Sequence, residues 1–219
     1  MYSNPYPLVK SDVFTPPTTP HESAKVGINV YVVESGKTKS NCLIEEPSNN
    51  GKMKLFVEFM GQCSPSPYLY LKDKFFVILE NQQLADGIIW ECVSDKCYRL
   101  HLFELKKTMT NSNWNEAKKQ YHGTLLRCQI VADLLGVKFR PCIHLYTVYH
   151  QEDNTNFSTT NIPADELPNE GEQDWYHNRY SLNPQFWLPN WAGWSFHHHK
   201  VHLSKLNDNN IPEGTYDLQ

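Results

Sequence analysis

The 219-residue sequence lacks net positive charge. Its 24 acidic residues outnumber 20 Lys and Arg residues, which leaves a formal charge of −4. A protein that coats nucleic acid through general electrostatics is normally basic, so this class is disfavoured. The same deficit is weaker evidence against an enzyme that acts on nucleic acid, because a bound divalent cation supplies positive charge at the phosphate site itself.

The sequence also lacks a membrane-length apolar run and a secretory signal. No stretch approaches the roughly 20 apolar residues of a transmembrane helix, and the start, MYSNPYPLVKSDVF, has no continuous apolar segment. None of the six cysteines is spaced as C-x-x-C, the pattern of zinc knuckles and redox motifs. We therefore expect reduced cysteines and an intracellular protein, cytoplasmic or nuclear, without a membrane segment.

The composition permits a sizeable core, since 40% of the residues are hydrophobic and 20% are charged. The length suits one domain with an elaborated periphery, or a domain plus a smaller appendage. Changes in residue composition divide the chain into three parts. We predict an extended Pro-rich arm (1–24), a core (25–150) and a C-terminal loop with an aromatic and His-rich extension packing on the core (151–219). We predict an α/β (α+β) fold with a central mixed β-sheet flanked by helices.

Several apolar, β-branched runs predict strands. Two of these runs lie on either side of a short polar turn at 94–96, and this pattern predicts a β-hairpin. The predicted strands are 26–35, 52–60, 74–80, 86–93, 97–107 and 138–150.

After Asn111 the apolar period changes to three or four residues, which predicts an amphipathic helix. We predict Asn113 as its N-cap, Glu116 as the partner in a capping box, and Gly136 as its C-terminal stop. The expected apolar stripe contains Trp114, Ala117, Tyr121, Leu125, Cys128, Val131 or Ala132, and Leu135.

The predicted hairpin brings three charged residues together. If its turn centres on Asp95, Asp86 lies directly opposite Glu104, and Lys106 projects from the same face. Opposed like charges destabilise a sheet, and burying them costs more unless a cation is shared. Mg²⁺ or Mn²⁺ would resolve this conflict, with Asp86, Glu104 and the Leu105 carbonyl as its protein ligands. Lys106 would then orient the metal-bound water or stabilise charge in the transition state.

The segment LADGIIW…YRLHLFELKK resembles the core hairpin of the PD-(D/E)XK nuclease superfamily, which has the restriction-endonuclease-like fold. Asp86 matches the first acid of its motif, Glu104 the second, and Lys106 the lysine. Ala85 replaces the proline, a substitution common in this superfamily. A helix with a glutamine follows in many branches, and Gln120 is the matching residue.

This resemblance implies a metal-dependent nuclease that hydrolyses phosphodiester bonds with Mg²⁺ or Mn²⁺. It implies that Gln120 contacts the scissile phosphate or the attacking water; otherwise Gln120 is a solvated helix position. The expected partner is nucleic acid, with DNA favoured over RNA, and two copies of the chain are expected to form a homodimer. Many members add an upstream acid, for which Glu58 and Glu80 are weak candidates.

Simpler interpretations remain open. Asp86-Gly87 is a common turn dipeptide, and Glu104 with Lys106 could mark a strand emerging into solvent. The chain would then be a binding or assembly module on the same fold without catalysis, or an unrelated interaction protein whose partner surface is the aromatic C-terminal region.

The C-terminal region is rich in histidine and tryptophan. Within 197–202, histidines alternate faces in a strand, so only His197 and His199 could share a metal, and we favour a structural role over zinc. The tryptophans are expected to form an apolar lid over the sheet rather than stack on bases; they are Trp175, Trp187, Trp191 and Trp194. His101 is expected to be a hydrogen-bonded core residue.

Overall fold

The structure, a computed structural model, describes residues 28–32, 38–45, 53–60, 63–64, 83–94, 96–153, 175 and 194–218. Nine strands and one long helix lie within them. In chain order these are β1 (Ile28–Val32), β2 (Thr38–Glu45), β3 (Lys54–Met60), β4 (Cys63–Ser64), β5 (Gly87–Ser94), β6 (Cys97–Met109), α1 (Asn111–Leu135), β7 (Lys138–Glu152), β8 (Ser195–His202) and β9 (Glu213–Leu218).

The strands form two sheets, of order β1-β2-β3-β9 and β4-β5-β6-β7-β8. The first is antiparallel except for the parallel pair β3–β9. The second is antiparallel from β4 to β6 and parallel from β6 to β8. The mixed α/β character predicted from the sequence is therefore confirmed. The C-terminal region supplies one strand to each sheet.

The hairpin β5–β6 has the predicted register. Gly87 pairs with Phe103 and Ile88 with Leu102, and the same alignment continues to the pair of Cys92 with Tyr98. A register shift occurs only next to the turn, between Cys92 and Ser94. Asp86 immediately precedes the first pair, so it stands at the position facing Glu104.

Helix α1 begins earlier than predicted. Thr110 is its N-cap, with extended backbone, and its Oγ1 accepts the backbone N–H of Asn113 at 3.1 Å. The prediction of Asn113 as N-cap was therefore wrong by three residues, and with it the capping box of Glu116. Thr and Asn are both good N-caps, so the choice depended on where β6 ends. The C-terminal prediction is confirmed: Gly136 has a left-handed φ of 62° and terminates the helix.

Two apolar clusters organise the molecule into three layers. One lies between α1 and the five-stranded sheet, and contains the predicted helical stripe from Trp114 to Ala132 together with Ile88, Leu100 and Leu102. The other lies between the two sheets and joins Ile44, Leu55 and Val57 to Ile89, Phe103 and Leu105. The five-stranded sheet is thus covered on both faces, which explains its apolar strands.

The predicted strands at 26–35, 52–60 and 138–150 are confirmed, as β1, β3 and β7. The Pro-rich arm (1–24) and the predicted strand at 74–80 lie outside the described residues. The predicted division at residue 150 stays a prediction. In the described part of the chain, no helix combines the length and apolarity that crossing a membrane requires.

Candidate metal centre

The candidate centre lies where β5 begins and the C-terminal half of β6 passes it. Strand alternation directs Glu104 and Lys106 to the α1 side of the sheet, together with Leu100 and Leu102. Asp86 reaches the same place: its Oδ2 accepts the backbone N–H of Leu105 at 2.8 Å. The three charged residues predicted from the hairpin are therefore brought together.

Glu104 is the most unusual of them electrostatically. Its side chain is 1% exposed, and the cation that contacts its carboxylate among the described residues is Lys106. Burial raises the pKa of Glu104 well above its ordinary value, and the neighbouring Asp86 carboxylate raises it further. The ion pair with Lys106 compensates only part of this cost.

Lys106 links two acidic side chains. Its Nζ lies 3.0 Å from Glu104 Oε1 and 3.2 Å from Glu116 Oε2. Burial by itself would lower the pKa of Lys106, but the two carboxylates outweigh burial and raise it. Lys106 is therefore a cation held between Glu104 in the sheet and Glu116 on α1.

Glu116 is the residue that sequence reasoning misassigned. Its spacing from Asn113 suggested a capping partner, whereas in the structure it reaches back from the first turns of α1 to Lys106. One signal in the sequence could have indicated this contact, namely that the predicted helix follows β6 almost at once. Such a helix folds back on the sheet, so its first turns lie over the end of that strand. Of the weak upstream candidates, Glu58 lies on β3 in the other sheet, and Glu80 lies outside the described residues.

Gln120 contacts the segment that leads into Asp86, and the Leu105 carbonyl lies on the strand that carries Glu104 and Lys106. Gln120 Nε2 is 3.5 Å from the backbone oxygen of Leu84, and its Oε1 is buried with no hydrogen-bond donor in the described part of the chain. In a strand, the N–H and C=O of one residue point to the same side. Since the Leu105 N–H binds Asp86, the Leu105 carbonyl also faces that side of β6.

The donor set suits a hard cation. Its groups are carboxylate and carbonyl oxygens, which Mg²⁺ and Mn²⁺ prefer, and no thiol or imidazole is among them. Across the described ranges, no group of three or more His, Cys, Asp or Glu side chains is arranged to hold an ion. An ion here would be held by two carboxylates, the backbone carbonyl and water, as is usual for Mg²⁺.

The histidines of β8 alternate faces as predicted. His197 and His199 stack on His144, each at 5.4 Å between ring centroids, on the face away from α1. His198 points to the opposite face, where its Nε2 lies 2.8 Å from Thr147 Oγ1 and its ring contacts Trp114. These are packing and hydrogen-bond contacts within the sheet.

Two other interpretations concern core packing. His101 is buried and hydrogen-bonded to Glu91 and Tyr146, as expected. Trp175 is buried against Trp114, in agreement with an apolar lid. Trp194 is half-buried against the same core, while Trp187 and Trp191 lie outside the described residues.

Comparison with protein-family models, with curated proteins and with solved structures gives no match. The resemblance to PD-(D/E)XK nucleases therefore stays a prediction carried by this hairpin and its helix.

Proposed function

We propose that the chain is a divalent-metal-dependent nuclease with a restriction-endonuclease-like core. In this proposal it hydrolyses phosphodiester bonds of nucleic acid through a water activated by Mg²⁺ or Mn²⁺. The observation that carries the proposal is the buried carboxylate of Glu104, which lies beside the carboxylate of Asp86 and whose pKa is raised despite its ion pair with Lys106.

A pair of neighbouring buried carboxylates is costly, because each ionised group needs cations or N–H and O–H groups around it and the two like charges repel. Only one cation, Lys106, contacts Glu104 in the described structure, and it is shared with Glu116. A divalent ion bound by Asp86 and Glu104 would remove the remaining deficit. The arrangement therefore gains stability when such an ion binds.

Each residue has a distinct role in this proposal. Asp86, Glu104 and the Leu105 carbonyl hold the ion, which when bound polarises the phosphoryl group and lowers the pKa of its water. Glu116 keeps the Lys106 ammonium at the mouth of the centre, where it stabilises the charge that develops on the phosphate. Gln120 presents a buried amide oxygen that orients the attacking water.

The substrate class follows from the resemblance and from charge. DNA is favoured over RNA, and a homodimer would bring two centres to the two strands of a duplex. With a net charge of −4, the chain must bind phosphates through local groups, namely the bound ion and Lys106. Substrate binding should therefore depend strongly on the divalent ion.

A binding or assembly module on the same fold is the second candidate. It is favoured by the Lys106 contacts, since an ammonium already placed between Glu104 and Glu116 partly satisfies the centre without a metal. Such a module would bind nucleic acid or protein but would not cleave a phosphodiester.

The test compares wild type with Glu104→Gln on supercoiled plasmid, single-stranded DNA and RNA, with Mg²⁺, with Mn²⁺ and with EDTA. We expect cleavage that EDTA abolishes and that Glu104→Gln lowers by at least about a hundredfold, because the activated water is lost. The metal-free variant should also unfold at a higher temperature at neutral pH. Because the pKa of Glu104 is raised in the folded protein, ionising its carboxyl group costs folding free energy once the pH is above the ordinary pKa of a glutamate. The glutamine side chain of the variant avoids this cost.

Asp208→Asn is the matched control, since Asp208 is an exposed acid in the turn after β8. It should leave cleavage, metal binding and stability unchanged. Binding of nucleic acid without cleavage of any of the three substrates would favour the inactive module. Cleavage that survives both EDTA and Glu104→Gln would show a contaminating nuclease.

A further inference from the structure

The short segment that leads into β5 is held by side chains from α1. The backbone N–H of Ala85 donates to Thr124 Oγ1 at 2.7 Å, deep in the structure. Two further helix side chains bind carbonyl oxygens of the same segment. These contacts join Gln120 to Leu84 at 3.5 Å and Arg127 to Gln83 at 3.1 Å.

The three helix residues are spaced four and three positions apart, so they form one stripe along α1. Thr124 is central in this stripe and fully buried. Its hydroxyl donates to the Gln120 carbonyl at 2.7 Å while accepting the Ala85 N–H, so both of its hydrogen-bonding roles are used. The direction of the hydroxyl lone pair toward Ala85 is therefore determined by the helix.

Asp86 follows this anchored backbone directly. Its carboxylate is in turn bound by the Leu105 N–H, so the residue is held from the helix side through Ala85 and from the sheet side through β6. We propose that Thr124 is a positioning residue for the metal centre, keeping the Asp86 carboxylate opposite Glu104. In its link to metal binding, this inference rests on the proposed function above.

The physical reason is that a metal centre tolerates little displacement of its ligands. Mg²⁺ requires near-ideal octahedral geometry with short bonds, so a ligand displaced by a fraction of an ångström binds poorly. Loss of the Thr124 hydroxyl would leave a buried Ala85 N–H without its acceptor. The segment would then shift toward another acceptor, and Asp86 would move with it.

The experiment uses Thr124→Val, which keeps the shape but removes the hydroxyl, and Thr124→Ser, which restores it. Cys128→Ala is the control, because Cys128 is a buried residue on the same helix that takes no part in the three contacts. The readouts are the hydrogen-exchange rate of the Leu105 amide in the metal-free protein and the Mn²⁺ affinity by calorimetry. Thermal unfolding of each variant calibrates the general loss of stability.

We expect Thr124→Val to speed Leu105 exchange beyond the control and to weaken Mn²⁺ binding by about 10–100-fold, as for other residues that orient metal ligands. Thr124→Ser should restore both. Leu105 exchange no faster than in Cys128→Ala overturns the positioning role, whatever the metal result. Faster exchange with unchanged Mn²⁺ affinity overturns its link to the metal. Failure of wild type to bind Mn²⁺ overturns the proposed function and that link, while the exchange rates still decide whether Thr124 positions Asp86.

Discussion

At the scale of single residues, burial determines how the charged and titratable groups behave. Glu104 and Lys106 are close on the same strand face, yet burial raises the pKa of the acid despite the ion pair. Sequence reasoning found Asp86, Glu104 and Lys106 because a strand period and a hairpin register suffice to align them. It misassigned Glu116, because its contact with Lys106 depends on how α1 folds back over β6.

His198 should make the protein sensitive to acid. Burial, followed by the nearby charge of Lys200, lowers the pKa of His198 to about 3, so the folded protein resists its protonation. Because the folded pKa lies below the ordinary value near 6.5, its stabilising contribution is complete above pH 6.5 and is lost as pH falls toward 3. We expect the free energy of unfolding to fall by up to about 4 kcal/mol over this window from His198 alone.

Urea unfolding at several pH values between 7.5 and 4.5 checks this expectation. In His198→Asn the decline with falling pH should be shallower than in wild type. His202→Asn, which changes an exposed histidine at the C-terminal end of β8, is the comparison variant. Equal slopes in all three proteins would show that His198 does not control the acid sensitivity.

At the scale of elements, strand and helix types were predictable where the local pattern was strong. The apolar stripe of α1 and the glycine at its end are both local signals, and both are confirmed. The start of α1 was not predictable, because Thr110 and Asn113 are equally acceptable caps by residue type. The length of β6 decided between them, and this length depends on its pairing with β7 up to Met109 and Glu152.

Thr110→Ala should destabilise the protein by about 1 kcal/mol, since the variant removes the acceptor of the Asn113 N–H at the first turn of α1. Asn115→Ala is a suitable comparison, because Asn115 is exposed and, among the described residues, bonds within the helix to Asn111. It should change stability by less than about 0.5 kcal/mol. Chemical denaturation measures both. A larger loss for Asn115→Ala than for Thr110→Ala would contradict Thr110 as the N-cap.

At the scale of the whole molecule, the packing of the two sheets brings β5 very close to β2. A side-chain carbon added at Gly87 would collide with the branched side chain of Ile44, so glycine is required by the close approach of the layers. The sequence suggested only a turn dipeptide at this position. The parallel pairing of β9 with β3 joins strands distant in sequence and has no local signature.

Gly87→Ala should therefore destabilise the protein by about 1–3 kcal/mol through overpacking between the sheets. Ile44→Ala alone should also be destabilising, by about 2–5 kcal/mol, because it leaves a cavity. The double variant should lose less than the two single losses combined, since each change relieves the other. Additive losses by chemical denaturation would show that the two positions are not packed together.

Local patterning along the chain was enough to specify the hairpin, its register, the helix stripe and the meeting of Asp86 with Glu104. These depend on periods of two and 3.6 residues and on a short turn, all of which are encoded within a few tens of residues. Three other features could be seen only in the assembled fold. They are the hydrogen bond between Thr124 and Ala85, the ion pair between Glu116 and Lys106, and the packing of the second sheet against Gly87. The physical reason is that each joins elements whose relative placement depends on packing against the core, and such placement leaves no periodic trace in the residues involved.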